Sequence, residues 1–448
     1  MSGFEEAVLY GVDTHHSPIS MLRLLGATIM SSGQGSMSSG QDLNFGLFPY
    51  GPWWRRHRRA FWQQFHPGTI SRYLPGQRRY TYRFLALLLS SPSTLRRNIQ
   101  FSFQSTIINS VYGIDVVDAT DSRLSVAHEA QTANADATPG YFAVELFPFL
   151  RFLPMWFPGA GFQQVFARSK VANHRLKHEL FNEVKEAWMR GEDRPCVASY
   201  LLNRMERDRD SPLDDEEEEI MKNVCAVAIE GSSDTTGNTL QAFFSAMALF
   251  PEVQKRAQAE LDSVVGPYRL PDHHDSDELT YINAIVKEIV RWHVVFPIGL
   301  PHRTVEDDEL YDYFIPGGTT IITNVWFVSI LLTFWKPSLN RSLCPGESCM
   351  IQACTTILMN FVLNGLSPMA SSTPPYQILP HSCLASVEGK AALTACHVFE
   401  LTPNRICPGR YLAIPSLFIN IASVLHVFDI SLPVDENGQP VRISYECS

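Results

Sequence analysis

Apolar and polar positions along the chain alternate between stretches with a helical period and stretches with none. Residues Tyr50 to Phe65 carry helix formers and aromatics behind Pro52, whose fixed φ suits a first helical turn, and Tyr73 to Ser90 continues in the same style. The acidic run Asp214 to Glu219 directly precedes an apolar stretch reaching Phe250. Carboxylates so placed sit near the positive end of a helix dipole, which predicts one long helix of about thirty residues. Pro251 opens another helix that Gly266 closes, and Leu279 to His293 predicts a third with its apolar residues on one face. Turn glycines within β-branched text predict strands over Tyr313 to Val325. A helix returns over Tyr411 to Val427, followed by a short β-like tail; Pro415 costs it about 3 kcal/mol if it lies past the first turn. The expected fold class is mainly α with small β sheets.

Two stretches resist this reading. Leu146 to Phe162 is apolar, aromatic and broken by three prolines, which suits a buried or membrane-facing connection, or a hydrophobic loop packed on the core, better than a regular helix. From Phe327 to about Val398 charged residues almost vanish and five of the nine cysteines appear. Short apolar runs alternate there with Ser, Thr and Pro in no helical or strand period, so 327–404 is set apart as an anomalous insert within a single domain spanning 1–448. Residues 1–40 are Ser/Gly-rich and weakly patterned.

A hydrophobic content of 45% with balanced charge belongs to a chain that buries a large core. The net charge of −10 argues against a general nucleic-acid binder, although Trp53 to Arg59 forms one dense basic-aromatic cluster. The cysteines form no regular framework and Met1 begins no secretory leader, so free thiols in a reducing compartment are expected. No apolar run approaches the roughly 20 residues of a bilayer-spanning helix, and no anchor is expected in this chain.

Four arrangements carry chemistry. Arg405-Ile406-Cys407-Pro408-Gly409-Arg410 sets one cysteine and a glycine just before the last helix; its plain alternative is one buried cysteine among nine. Glu288 and Arg291 are three apart on one face of a helix, where a surface ion pair is the common reading. Gly231-Ser232-Ser233-Asp234-Thr235-Thr236 lies within the long helix, where hydroxyls that bond back to the preceding turn open it locally; a polar patch is the alternative. Trp54 and Arg58 stand one turn apart, in a cluster that is otherwise a solvated basic face. His381, Cys383, Cys396 and His397 are too irregularly spaced for zinc, and Cys344-Pro345-Gly346 lacks the preceding arginine and the following helix.

These motifs resemble the microsomal cytochromes P450 of fungi over roughly 45–325 and again from 405 to the end. The Cys407 loop is similar to the family's Phe-x-x-Gly-x-Arg-x-Cys-x-Gly haem loop, with Glu400 and Pro403 in place of its Phe and Gly. The resemblance implies a haem-thiolate monooxygenase of P450 fold, with Cys407 as the iron ligand and Gly409 letting backbone approach the macrocycle. Trp54, Arg58, Arg303 and Arg405 would hold the haem propionates, Asp234 would relay protons and Thr235 would position O2. Glu288 and Arg291 would form the family's structural pair, whose further arginine, from a Pro-Glu-Arg-Phe-like loop, is missing between Phe327 and Val398.

The resemblance further implies electrons from NADPH through a separate flavoprotein reductase met by the basic cluster, an apolar small-molecule substrate of fungal secondary metabolism, and an endoplasmic-reticulum location. No dinucleotide fingerprint stands in the chain itself. The fold is expected to be locally incomplete between about 325 and 405. Hence a rival expectation from another class: a non-catalytic remnant, its gene read with retained intervening sequence, that does not bind haem productively.

Overall fold

The computed structural model describes residues 40–433 apart from 138–141, 193, 208–214, 298–301, 304–305, 311–312, 322–324 and 326–406. The anomalous insert, the preceding cysteine motif and Arg405 therefore lie outside the described residues. The helices are α1 Pro52–Phe65, α2 Leu74–Ser90, α3 Leu95–Tyr112, α4 Ser122–Asp136, α5 Ala143–Leu146, α6 Phe162–Met189, α7 Val197–Arg207, α8 Asp215–Leu249, α9 Pro251–Val264, α10 Thr280–Trp292 and α11 Arg410–Val427. Four short strands, β1 His302–Arg303, β2 Asp308–Leu310, β3 Tyr313–Ile315 and β4 Thr320–Ile321, form two antiparallel pairs, β1 with β4 and β2 with β3. A mainly α fold with small sheets is what the residue pattern predicts.

Helix α8 is the axis of the molecule. Its first turn carries Asp215, Glu216, Glu217 and Glu218 against the positive dipole end, and its 35 residues run through both halves of the core. Ile220 to Ile229 pack in one cluster with Phe61 and Phe65 of α1, Ile108 and Tyr112 of α3, Leu176 and Phe181 of α6 and Leu202 of α7. Leu240 to Ala248 pack in a second cluster with Phe84 of α2, Ile99 of α3, Leu261 of α9, Ile285 of α10 and Ile419 to Leu425 of α11. Burying such side chains contributes roughly 1.5 to 3 kcal/mol each, so the two clusters are the main source of rigidity for whatever α8 and α11 carry.

Local chemistry sets the helix ends. Gly113 closes α3 in the left-handed region at φ 65°, where an added Cβ would also come within 3.1 Å of Arg194. Gly266 follows α9 at φ 71°. The Glu260 carboxylate on α9 accepts from the backbone amides of Tyr281 (2.8 Å) and Ile282 (3.0 Å), capping α10 from a neighbouring helix. α10 then buries Ile282, Ile285, Val286 and Ile289 on one face, the spacing that predicted it. Pro415 is the sixth residue of α11, so the cost expected past the first turn applies.

One expectation changes. The segment after α5 is not a loop packed on the core: Phe149, Phe152, Met155 and Trp156 are 66%, 75%, 62% and 80% exposed around a 3-10 helix at Pro148–Phe152. Apolar composition alone does not distinguish a core segment from an exposed one. Of the tail after α11 only residues 428–433 are described, so the expected β-like stretch lies mostly outside them; there the Gln254 amide of α9 brackets Ile430, its Nε2 donating to the carbonyl and its Oε1 accepting from the amide, both at 2.8 Å. Among the described residues one helix, α11, is long and apolar enough to cross a membrane, and 61% of it is buried in the core.

Candidate functional site

Helix α1 presents two different faces. His57 is fully buried: its Nδ1 lies 2.9 Å from the Trp53 carbonyl and its Nε2 3.1 Å from Asn223 Nδ2 of α8. With Nδ1–H donating to the carbonyl, Nε2 accepts from the amide, and burial holds the ring neutral by pushing its pKa down. This lock fixes α1 on α8 and turns Arg58 the other way. Burial lowers the Arg58 pKa, the Cys407 sulfur opposes that shift and Arg410 adds to it, so these three groups share one corner. Trp54, one turn before Arg58, is half-buried with its ring 5.4 Å from that of Tyr50.

Cys407 itself is a free, exposed thiol. It precedes α11 by three residues, and a Cβ added at Gly409 would make ordinary contact, 3.9 Å from the Cys407 sulfur. The loop is held from below by Gln77 of α2, whose Nε2 donates to the Leu412 carbonyl at 2.9 Å, and by an edge-on contact of the Trp62 and Tyr411 rings at 5.7 Å. A sulfur in the open, at the amide-rich start of a helix and beside a half-buried guanidinium, is an anion-stabilising position.

Around Gly231, α8 is buried except for a stripe. Val227, Glu230, Gly231, Ser232, Asp234, Thr235 and Asn238 are the accessible positions, and a Cβ added at Gly231 would meet nothing within 4 Å. The predicted back-bonding is present: Thr235 Oγ1 donates to the Gly231 carbonyl at 3.0 Å and Thr239 Oγ1 to the Thr235 carbonyl at 2.9 Å. Although Asp234 is solvent-exposed, the surrounding protein partly desolvates its carboxyl and raises its pKa, with His128 of α4 and Arg96 of α3 opposing.

Glu288 and Arg291 form the predicted pair, Nε to Oε2 at 2.8 Å and Nη2 to Oε1 at 2.5 Å, with side chains 13% and 26% exposed. It sits on α10, packed against α11. Glu288→Ala is expected to destabilise the fold by roughly 2 kcal/mol, below the 3 to 5 typical of a fully buried pair because water still reaches both groups. A urea midpoint measured for both proteins checks it; an unchanged midpoint would reduce the pair to a surface contact. Arg303 is in β1, but its side chain and Arg405 lie outside the described residues.

Sequence reasoning missed one group. The Glu230 carboxylate accepts from Asn44 Nδ2 at 3.1 Å on one oxygen and from Asn134 Nδ2 at 2.9 Å on the other. Asn134 Oδ1 in turn accepts from Ser169 Oγ (2.9 Å) and Asn173 Nδ2 (2.8 Å) of α6. Burial pushes the Glu230 pKa up to about 7, the two amides pull it down and Asp234 adds to the rise. The available signal was one carboxylate inside the uncharged run from Asn223 to Ser233.

The family model for cytochrome P450 matches residues 35–338. The cytochrome P450 monooxygenase COX2 of Coprinopsis cinerea is 37% identical, over 91% of this chain and 70% of its own length. A cytochrome P450 monooxygenase of Armillaria gallica is 33% identical, over 90% of this chain and 73% of its own length. A second Coprinopsis cinerea monooxygenase, COX1, is 32% identical, over 91% and 72% respectively.

Proposed function

The chain belongs to the cytochrome P450 family, as an enzyme of its haem-dependent monooxygenase kind, and from that premise we propose that it hydroxylates an apolar organic substrate with O2. The observation that carries the reading is Cys407: an open sulfur held by a glycine turn at a helix start, with Arg58 beside it. These residues fit a haem: Cys407 would hold its iron, and by family resemblance Trp54, Arg58, Arg303 and Arg405 would hold its propionates. When bound, the haem supplies the reductive activation of O2, the thiolate favouring O–O cleavage.

The chain's own residues supply position and protons. The balance is R–H + O2 + NADPH + H+ → R–OH + H2O + NADP+, with electrons arriving through a flavoprotein reductase for which exposed Arg55 and Arg59 supply a basic surface. One oxygen atom enters the C–H bond and the other leaves as water, taking two protons. Thr235 spends its hydroxyl hydrogen on the Gly231 carbonyl, leaving its oxygen as an acceptor in the accessible stripe. Asp234, its pKa raised by partial desolvation, keeps its proton to higher pH than an ordinary carboxylate and so is suited to relay it. Asp234→Asn is expected to lower turnover about a hundredfold, with the binding of an uncharged substrate unchanged. Product formation by the haem-loaded chain with NADPH and reductase, beside an equilibrium titration of substrate, measures both. Equal turnover would remove Asp234 from the relay.

The exposed aromatic segment around Phe152 and Trp156 supports association with a membrane surface, in keeping with the endoplasmic-reticulum location that the family implies. A second reading, an inactive remnant, is favoured by one observation: the family-model match ends at residue 338, short of the Cys407 loop, and 327–404 lacks the expected arginine loop. The two readings part on haem uptake: one haem per chain with a thiolate-type reduced carbon-monoxide spectrum supports the enzyme, and no uptake supports the remnant.

A further inference from the structure

We propose that Glu230, flanked by Asn44 and Asn134, is a substrate subsite that takes a cationic nitrogen, so that the substrate is apolar in its body and carries an ammonium group at one end. The inference deepens the oxygenase reading and rests on it for the word substrate. It starts from position. Glu230 lies on the accessible stripe of α8, next to Gly231, where added bulk would meet nothing, and one turn before Asp234.

The chemistry of the cluster is incomplete as it stands. A carboxylate offers about four lone-pair positions, and this one receives two amide donors, one on each oxygen. No cation among the described residues faces it. The turn after Gln41–Leu43 contributes Asn44, α4 contributes Asn134, and α6 contributes Ser169 and Asn173 behind Asn134, all uncharged. The one ionisable neighbour is Asp234 on α8 itself, a second carboxylate, whose own partners His128 and Arg96 come from α4 and α3. On α6 nearby, Arg168 pairs with Asp136 and Lys177 with Glu219, while Lys170, whose backbone lies against Gly40, is exposed and makes no contribution to the electrostatics of Glu230.

An enclosed carboxylate costs stability unless a partner compensates it. A purely structural bridge between α8, α4 and the Asn44 turn would be served by a neutral glutamine. What a carboxylate adds, with a second carboxylate one turn away, is a negative potential along the accessible stripe, and the ligand that gains most from it is an organic cation. Asn44 and Asn134 fix the acid with one hydrogen bond on each oxygen and leave further lone pairs for a ligand. The distance along α8 from Glu230 to Thr235 is five residues, about 7.5 Å of rise, enough to set a charged end apart from the carbon attacked.

The test uses the full chain and two probes of similar size. Trimethyl(3-phenylpropyl)ammonium is permanently charged and has no lone pair for a metal; 4-phenylbutanol is uncharged. Binding is read by calorimetry, independently of turnover, on wild type and Glu230→Gln. The expected result is that the ammonium probe binds wild type more tightly than the alcohol. Its affinity should rise about tenfold from pH 6 to pH 8 as Glu230 ionises around pH 7. Both features should vanish in Glu230→Gln, while the alcohol is indifferent to pH and to the substitution. Equal affinity for the two probes in wild type, or an ammonium affinity flat with pH, overturns the proposal, and neither result needs the variant to fold. Failure of haem uptake would instead count against the oxygenase reading and would leave the calorimetric comparison intact.

Discussion

Cys407→Ala is expected to abolish turnover and to remove the red-shifted Soret band of the reduced carbon-monoxide complex, leaving any residual haem with a nitrogen- or oxygen-ligated spectrum. The reason is that nothing else described near the corner offers sulfur: Cys196 and Cys225 are the other described thiols, and both are buried in the first core cluster. The loop is supported by contacts that do not involve the sulfur, the Gln77 bond to the Leu412 carbonyl and the Trp62–Tyr411 edge contact, so removing one exposed atom leaves the fold in place. An alanine variant with wild-type thermal stability and no thiolate band therefore separates ligation from folding. Loss of both together would make Cys407 structural, and a thiolate band that survives the substitution would move the ligand to one of the cysteines within 327–404. Because Glu400 and Pro403 replace the family's aromatic and glycine just before this loop, weak haem retention in wild type is the companion expectation.

What the residue pattern made legible follows from where each element sits. Helices α9, α10 and α11 have clear stops and starts, Pro251, Gly266 and the apolar face of α10, and each lies with one side on the second core cluster, so period and burial coincide. α8 was legible by its acidic start and apolar length. α3 was not, although it is as long as α11. It is buried nearly all round and carries Ser102, Gln104, Ser105, Thr106 and Ser110 inside, so no polar face marks its period. The chemistry divides in the same way. Cys407, Asp234, Thr235 and the Glu288–Arg291 pair are local motifs, readable within six residues. Glu230 acquires its meaning from Asn134 and Asn44, which stand 96 and 186 positions away, a relation that only the fold discloses.

That relation makes a stability prediction that is independent of any ligand. The Glu230 carboxyl, ordinarily ionised above pH 4.5, keeps its proton in the folded chain to about pH 7. Between these values the folded state binds more protons than the unfolded one, so stability falls as pH rises through the window and is level above it. A shift from 4.5 to about 7 makes the group's contribution at pH 8 about 2.5 kcal/mol less favourable than at pH 5. Glu230→Gln removes the titration and leaves the neighbours. The variant's hydrogen bonds can cost a constant amount, since a glutamine must turn one amide donor toward an asparagine donor, but that cost does not depend on pH. The expected result is that the stability of the variant relative to wild type increases by about 2.5 kcal/mol from pH 5 to pH 8, read from urea unfolding at the two pH values. Parallel pH profiles would mean that water or a partner outside the described residues solvates the carboxylate in the folded state. Glu230 would then be an ordinary ionised acid, and the negative potential assigned to the stripe of α8 would lose its source.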